Sequence, residues 1–367
     1  MPIKPETEAR KSDHIRVVNE EQVQAKSVFT GFEDVHFVHR TVPEVDLKQI
    51  DTSTDFFGHR LAAPIIISCM TGGTYKAIKI NGGLAQAAEK FGLAMGVGSQ
   101  RAAVEKPELI YSYGVAREKG PSVFLIGNLG AAQLLKGYGP KQAQQAIDML
   151  KANALVIHLN ALQEAAQPEG DTNYDGILGK LKELTRQIKV PVIAKETGAG
   201  ISLEDARLLE EAGVKGIDAG GAGGTSWSAV EVYRSKEAGK TLHEKIGMTF
   251  WDWGIPTVAS IVEVKSATRL TVIGSGGVRS GLDVAKAVAL GADAVGLAYP
   301  FFKAIMEGQE TLEAVITQII AELRTAMFLT GSRNIDELKR AALVITGNTG
   351  EWLRARGLKP ESFAQRR

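Results

Sequence analysis

The 367-residue chain predicts an α/β fold, a (β/α)8 TIM barrel with an N-terminal extension and a long loop after strand 6. Three observations predict it. Three segments share one plan, a helical pattern that ends at a glycine and is followed at once by a short apolar run. They are Ala85–Phe91 with Gly92 before Leu93–Gly98, Leu203–Ala212 with Gly213 before Val214–Gly220, and Leu282–Leu290 with Gly291 before Ala292–Ala298. Helices of this kind return the chain so that the next strand runs parallel to the last. Counting such runs gives eight candidate strands, near Pro64–Ser68, Leu93–Val97, Ser122–Gly127, Ala154–Leu159, Val190–Lys195, Gly216–Ala219, Leu270–Ile273 and Ala294–Ala298. They are mostly continuous apolar runs, as in a sheet covered on both faces. Polar residues and glycine recur at or just past their carboxyl ends: Thr71, Ser99, Asn128, Asn160, Lys195, Thr225 and Gly276. That is the face on which such a barrel carries its chemistry. A doubly wound open sheet is the alternative arrangement of the same runs.

In chain order, residues 1–60 form an extension rich in charge, residues 61–345 the barrel, and residues 346–367 a C-terminal tail, in one domain overall. Ser202-x-x-Asp205 and Ser280-x-x-Asp283 have the spacing of helix capping boxes and start the helices after the fifth and seventh strands. Residues 221–257 make an unusually long connection, glycine-rich at its start and carrying Trp227, Trp251 and Trp253. A loop of that length predicts a lid or an oligomer contact. The Leu and Ile spacing predicts two amphipathic helices, Glu310–Leu329 and Asn334–Val344, packed on the barrel.

Composition excludes several classes. Lys and Arg total 43 against 42 Asp and Glu, so the summed field favours neither nucleic acid nor an anionic membrane, and any basic site must be local. No apolar run approaches the ~18 residues of a membrane span, and the amino terminus lacks the apolar core of a signal peptide. The lone Cys69 has no partner for an internal disulfide, which fits a reducing cytoplasm. The expected protein is cytoplasmic.

The segment Gly274-Ser275-Gly276-Gly277-Val278-Arg279-Ser280-Gly281 follows an apolar run and precedes a helical pattern. Glycines let backbone N–H groups approach an anion, the helix adds its positive end, and Arg279 supplies a fixed charge, so the stretch reads as a phosphate cradle. Its place at the penultimate strand is where barrels hold phosphate. Met70-Thr71-Gly72-Gly73-Thr74 offers amides and hydroxyls after the first strand, and Gly98-Ser99-Gln100-Arg101 and Gly127-Asn128-Leu129-Gly130 do so after the next two. Lys195 places a cation at a strand end, against a ligand group that carries or develops negative charge. His158 and Asn160 alternate onto one side of the fourth strand, with Gln163 and Glu164 in the loop above. One carboxylate among amides suits Mg2+, which takes most of its ligands from water and phosphate oxygens. Zinc is excluded by six histidines without paired spacing and a single cysteine. Arg10, Lys11 and His14 lie within about one helical turn and, with Arg101, would form a pocket for a diphosphate if the extension folds over the barrel mouth.

Together these motifs resemble the type 2 isopentenyl diphosphate isomerases, FMN-dependent barrel enzymes, from Arg10 to about Leu338. The specific part is Arg10-Lys11-x-x-His14-Ile15 with His158-Leu159-Asn160-x-x-Gln163-Glu164. Lys195-Glu196-x-Gly198 and Gly223-Gly224-Thr225-Ser226-Trp227 agree as well, while the late glycine cradle is shared by FMN barrels in general. The chain departs in Glu196-Thr197 after the lysine and in a longer stretch before Arg10.

The resemblance implies FMN held by Thr71, Gly72, Gly73, Ser99, Asn128, Lys195 and Thr225, with its phosphate on Gly276, Gly277, Arg279, Ala298 and Tyr299. It implies substrate contacts from Arg10, Lys11, Ser99, Arg101, His158, Asn160 and Gln163, with Glu164 on Mg2+ and Gln163 and Glu164 as catalytic residues. It further implies a homo-oligomer of four or eight chains that acts on a small-molecule substrate, interconverting isopentenyl and dimethylallyl diphosphates in isoprenoid biosynthesis. The active form of FMN would be the reduced one, with NADPH or NADH as reductant. The proton donor stays open among flavin N5, Gln163 and Glu164. Two other FMN or nucleotide barrels fit less well. A 2-hydroxy acid oxidase would need a His-Gly-x-Arg element, where Trp253-Gly254-Ile255-Pro256 stands, and an inosine-monophosphate-dehydrogenase type would need a cysteine near Thr225. A bare flavin carrier would not need Arg10, Lys11, Arg101, Gln163 and Glu164 together.

Overall fold

A computed structural model describes residues 7–366. Residues 1–6 of the expected extension and residue 367 of the expected tail lie outside that range. Eight parallel strands close into a barrel: β1 (Ile65–Ile67), β2 (Ala94–Gly96), β3 (Leu125–Gly130), β4 (Ala154–Leu159), β5 (Val192–Glu196), β6 (Gly216–Asp218), β7 (Thr271–Ser275) and β8 (Ala294–Leu297). Each pairs with its neighbours in chain order. β8 closes onto β1 through Val295↔Ile65, Gly296↔Ile66 and Leu297↔Ile67, which rules out the open sheet.

The strand period of two sorts the residues into an outer face, packed under the helices, and an inner face. Inward residues stack in layers from bottom to top. Ile66, Ala94, Ile126, Val156, Ile193, Ile273 and Ala294 fill the middle. Below them a hairpin, Thr54–Phe56 paired with His59–Leu61, inserts Phe56 and Phe57 against Phe124. The Phe57 ring takes the space in which a Cβ on Gly216, at the base of β6, would sit 3.0 Å from it. Above the aliphatic layer the same inward positions become polar, with Asn128, His158, Lys195, Asp218 and Ser275 on successive strands.

Three elements differ from expectation. β3 begins at Leu125 and runs through Gly127-Asn128-Leu129-Gly130, pairing with β4 as far as Gly130↔His158, where the strand was expected to span Ser122–Gly127. The second amphipathic helix is one turn, Ile335–Leu338. The chain then extends, and Leu343–Ile345 pairs antiparallel with Val35–Phe37 of the extension. β-branched Val344 and Ile345 favour that outcome. The long connection is largely helical, with Trp227–Glu237 capped by Ser226 and Thr241–Thr249 after it. Residues 347–355 and 361–364 are helical too, and Trp352 of the first helix and Arg356 just past its end bond the fully buried Glu263 carboxylate.

Candidate active site

The polar top layer opens into a cavity of about 270 Å³ at the carboxyl ends of the strands. Arg10, Lys11, Thr71, Ser99, Arg101, Asn128, His158, Asn160, Gln163, Glu164, Lys195, Thr225, Gly276, Gly277, Arg279, Ala298 and Tyr299 all border it. Gly72 and Gly73 stand just behind its wall. The Gly73 amide donates to Ser112 Oγ at 2.8 Å, and the Gly72 carbonyl accepts from Lys11. Arg10 and Lys11 reach the cavity because the helix Thr7–Glu20 lies across the mouth and packs on the helix Trp227–Glu237.

On one side of the cavity, Asn128 Nδ2 donates to Val97 O, which leaves its Oδ1 to meet His158 Nδ1 at 2.7 Å. The proton therefore sits on Nδ1. Burial, then Lys195, Lys11 and Arg10, lower the His158 pKa to about 3, so the imidazole stays neutral. Gln100, buried beneath, accepts from the Asn128 amide and fixes the pair.

Above β4, the side chains of Asn160, Gln163 and Glu164 bond each other. Asn160 Nδ2 reaches Glu164 Oε1 at 2.9 Å and Gln163 Oε1 at 3.1 Å. Glu164 Oε2 accepts from Gln167 Nε2 and the Asp171 amide, both at 2.6 Å. Gln163 Nε2 donates to Glu231 Oε1 at 2.9 Å. The amide of Gln163 is thus oriented from both ends. Glu231 comes from the long connection and is fully buried. Burial alone would raise its pKa, but His14, Arg234 and Gln163 hold it down at about 2. Arg234 in turn pairs with Glu169 at 2.7 Å.

At the opposite wall Lys195 Nζ lies 3.4 Å from Asp218 and donates to Glu196 O at 2.7 Å. Asp218 also accepts from Ser275 Oγ. Gly276 and Gly277 have φ of 106° and 65°, in the left-handed region. A Cβ on Gly276 would come 2.2 Å from Gly221 O, so the two glycine segments touch backbone to backbone. Arg279 is anchored by Val278 O at 3.0 Å and Gln24 Oε1 at 2.8 Å, with its guanidinium 5.0 Å over the Tyr299 ring. Among the described residues it makes no ion pair, and burial lowers its pKa. A half-hidden guanidinium without a carboxylate, beside two left-handed glycines and the start of the helix Gly281–Leu290, fits a phosphate group. The donors and acceptors at the strand ends fit the edge of a planar heterocycle, so the site fits FMN. Glu164 fits Mg2+ as a single ligand, because a carboxylate has about four acceptor positions and three are used. Among the described residues no group of three or more His, Cys, Asp or Glu could hold a metal by itself.

Several of these residues carry no motif in the sequence. Asp218 had a usable signal, since an acid in the short apolar run Gly216–Ala219 must find a cation. Glu231 and Gln24 had none.

Residues 4–125 and 131–345 match the family model of FMN-dependent dehydrogenases. The chain is 48% identical over 358 residues to isopentenyl-diphosphate delta-isomerase of Methanosarcina barkeri, covering 98% of this chain and 97% of that one. It is 49% identical over 356 residues to the protein of that name from Thermococcus kodakarensis, covering 95% and 94%. Among solved structures, mandelate oxidase with an FMN adduct superposes with a TM-score of 0.62 at 20% identity, covering 92% of this chain and 98% of that chain, a likeness of fold. No helix among the described residues is long and apolar enough to cross a membrane.

Proposed function

The chain belongs to the isopentenyl-diphosphate delta-isomerases, within the FMN-dependent dehydrogenase family, and on that premise we propose that it interconverts isopentenyl and dimethylallyl diphosphates on reduced FMN with Mg2+. The observation that carries this is the meeting, in one cavity, of a cationic arm from the extension with cofactor-type residues from the barrel strands.

Moving the double bond by one carbon adds a proton at one carbon and removes one from another, with no net oxidation. Bound reduced FMN would supply an electron-rich ring against the positive charge that develops on the allylic carbons, and Mg2+ would neutralise diphosphate oxygens. The protein's own groups do the rest. Gly276, Gly277, Arg279, Ala298 and Tyr299 take the cofactor phosphate. Thr71, Gly72, Gly73, Ser99, Asn128 and Thr225 hold the ring system, with Lys195, steadied by Asp218, at its edge. Arg10, Lys11, Ser99, Arg101, His158 and Asn160 bind the diphosphate, and Glu164 holds Mg2+.

Binding the charged end far from the reacting carbons supplies the energy that orients the five-carbon group. Gln163, fixed by Asn160 and Glu231, faces those carbons and with Glu164 forms the catalytic pair. The helix Thr7–Glu20 and Trp227 shield the site from water. NADPH or NADH serves as reductant, and the working form is an oligomer of four or eight chains in the cytoplasm.

The test is direct. Purified protein given FMN, Mg2+ and NADPH should interconvert the two diphosphates through many turnovers per NADPH consumed. NADPH loss matching product one for one would instead mark a redox enzyme.

A further inference from the structure

We propose that Tyr113, on the helix Tyr111–Lys119 behind the cavity wall, is a positioning residue for both ligands: its phenol oxygen sets Lys11 for the diphosphate, and its ring sets the Thr71–Gly73 turn for the flavin. The proposal rests on the reading of the site given above.

The argument from Lys11 is one of valence. An ammonium has three N–H donors. Lys11 Nζ has three acceptors within reach, Gly72 O at 2.9 Å, Ser99 O at 2.5 Å and Tyr113 Oη at 2.7 Å. A phosphate oxygen can be met only if one of these is released. Tyr113 Oη itself donates to Ser99 O at 2.6 Å. Releasing Ser99 O leaves that carbonyl still bonded to the phenol, whereas releasing Gly72 O would strip a carbonyl of its ammonium partner. Ser99 O is therefore the partner that yields, and the phenol, still bonded to Lys11, keeps the ammonium aimed at the cavity.

The argument from the ring is steric. Tyr113 is fully buried. A Cβ on Gly72 would lie 1.9 Å from its Cε1, and one on Gly73 would lie 2.8 Å from its hydroxyl. The turn after β1 lies flat on this ring, and Ser112, the neighbouring residue, accepts the Gly73 amide. One side chain thus floors the cofactor turn and holds the substrate arm.

The groups facing Lys11 are Arg10 on its own helix, Arg101 from the helix Arg101–Glu105, His158 from β4, and Tyr113. Burial, with Arg10 and Arg101, lowers the Lys11 pKa to about 7. Removing an acceptor that favours the charged form moves it lower still.

The experiment uses the full FMN-loaded chain. Tyr113→Phe keeps the ring and removes the oxygen. It should raise the KM for isopentenyl diphosphate about tenfold at pH 8, the size of one charge-assisted hydrogen bond, and shift the alkaline limb of kcat/KM to lower pH. It should change kcat less than about twofold and leave FMN affinity alone. Tyr113→Leu also removes the ring and should weaken FMN binding about tenfold in a flavin-fluorescence titration, as expected for loss of one buried aromatic contact. Tyr111→Phe, an exposed phenol bonded to Glu118, is the control and should match wild type throughout.

A Tyr113→Phe enzyme with wild-type KM and pH limb, or one whose kcat falls as much as its KM rises, overturns the oxygen's role. Wild-type FMN affinity in Tyr113→Leu overturns the ring's role. Failure of the wild type to isomerise the diphosphates sinks the proposed function instead, and the FMN titration still judges the ring.

Discussion

Single residues set what each wall of the cavity can do. Glu164 keeps both carboxylate oxygens hydrogen-bonded, so Glu164→Gln preserves shape and loses charge. Turnover at saturating Mg2+ should fall by about two orders of magnitude, as for loss of one electrostatic contact to developing charge, while FMN absorbance per folded chain stays constant. Full turnover in that variant would refute the metal role. His158 gives a pH prediction. Its folded pKa of about 3 lies below the unfolded value, so its contribution to stability is complete above pH 6.5 and declines as pH falls toward 3. Between pH 6.5 and 5 the flavin-free protein should lose about 2 kcal/mol through this group. His158→Gln should lack that slope in urea unfolding. The motif residues were legible because ligand-binding groups interrupt apolar strands at regular intervals. Glu231 was illegible because, flanked by Val230 and Val232 on a helix, it looks like any solvated carboxylate until the fold lays the extension over it.

Elements deliver those residues to one face, and here punctuation was the readable signal. Gly92, Gly213 and Gly291 fall just where the three helices give way to strands. Ser202 and Ser280 both cap their helices, and the full capping box their spacing predicts is closed at Ser280, while Asp205 bonds the Ser202 hydroxyl instead. The capping box at Ser280 has a second duty, because Asp283 Oδ2 also accepts from the Arg279 amide at 3.0 Å. Ser280→Ala should cost about 1 kcal/mol of stability, seen as a lower midpoint in thermal unfolding, and should weaken FMN binding. Unchanged FMN affinity would show that the cap serves the helix alone. Where glycine and β-branched residues carried opposite messages, sequence reasoning failed. Glycines hid the second half of β3, which the ladder to β4 enforces. An amphipathic spacing hid the strand Leu343–Ile345, whose partner lies about 300 positions earlier and so leaves no local trace.

At the scale of the molecule, the long connection binds the site inwardly through Glu231 and faces outward with apolar side chains. Leu242, Met248 and Trp253 are 68%, 50% and 62% exposed. We propose that these side chains meet another subunit in the expected oligomer. Trp253→Glu should reduce the mass measured by light scattering to that of smaller assemblies, and an unchanged mass would place subunit contacts elsewhere. The Phe56–Phe57 hairpin fills the foot of the barrel and the aliphatic layer fills its waist. With foot and waist filled, the chamber opens at the end that Arg10 and Lys11 border. On the proposed function, a nicotinamide donor and a prenyl diphosphate would share that opening, so a surplus of the donor should slow isomerisation by occupying the threshold.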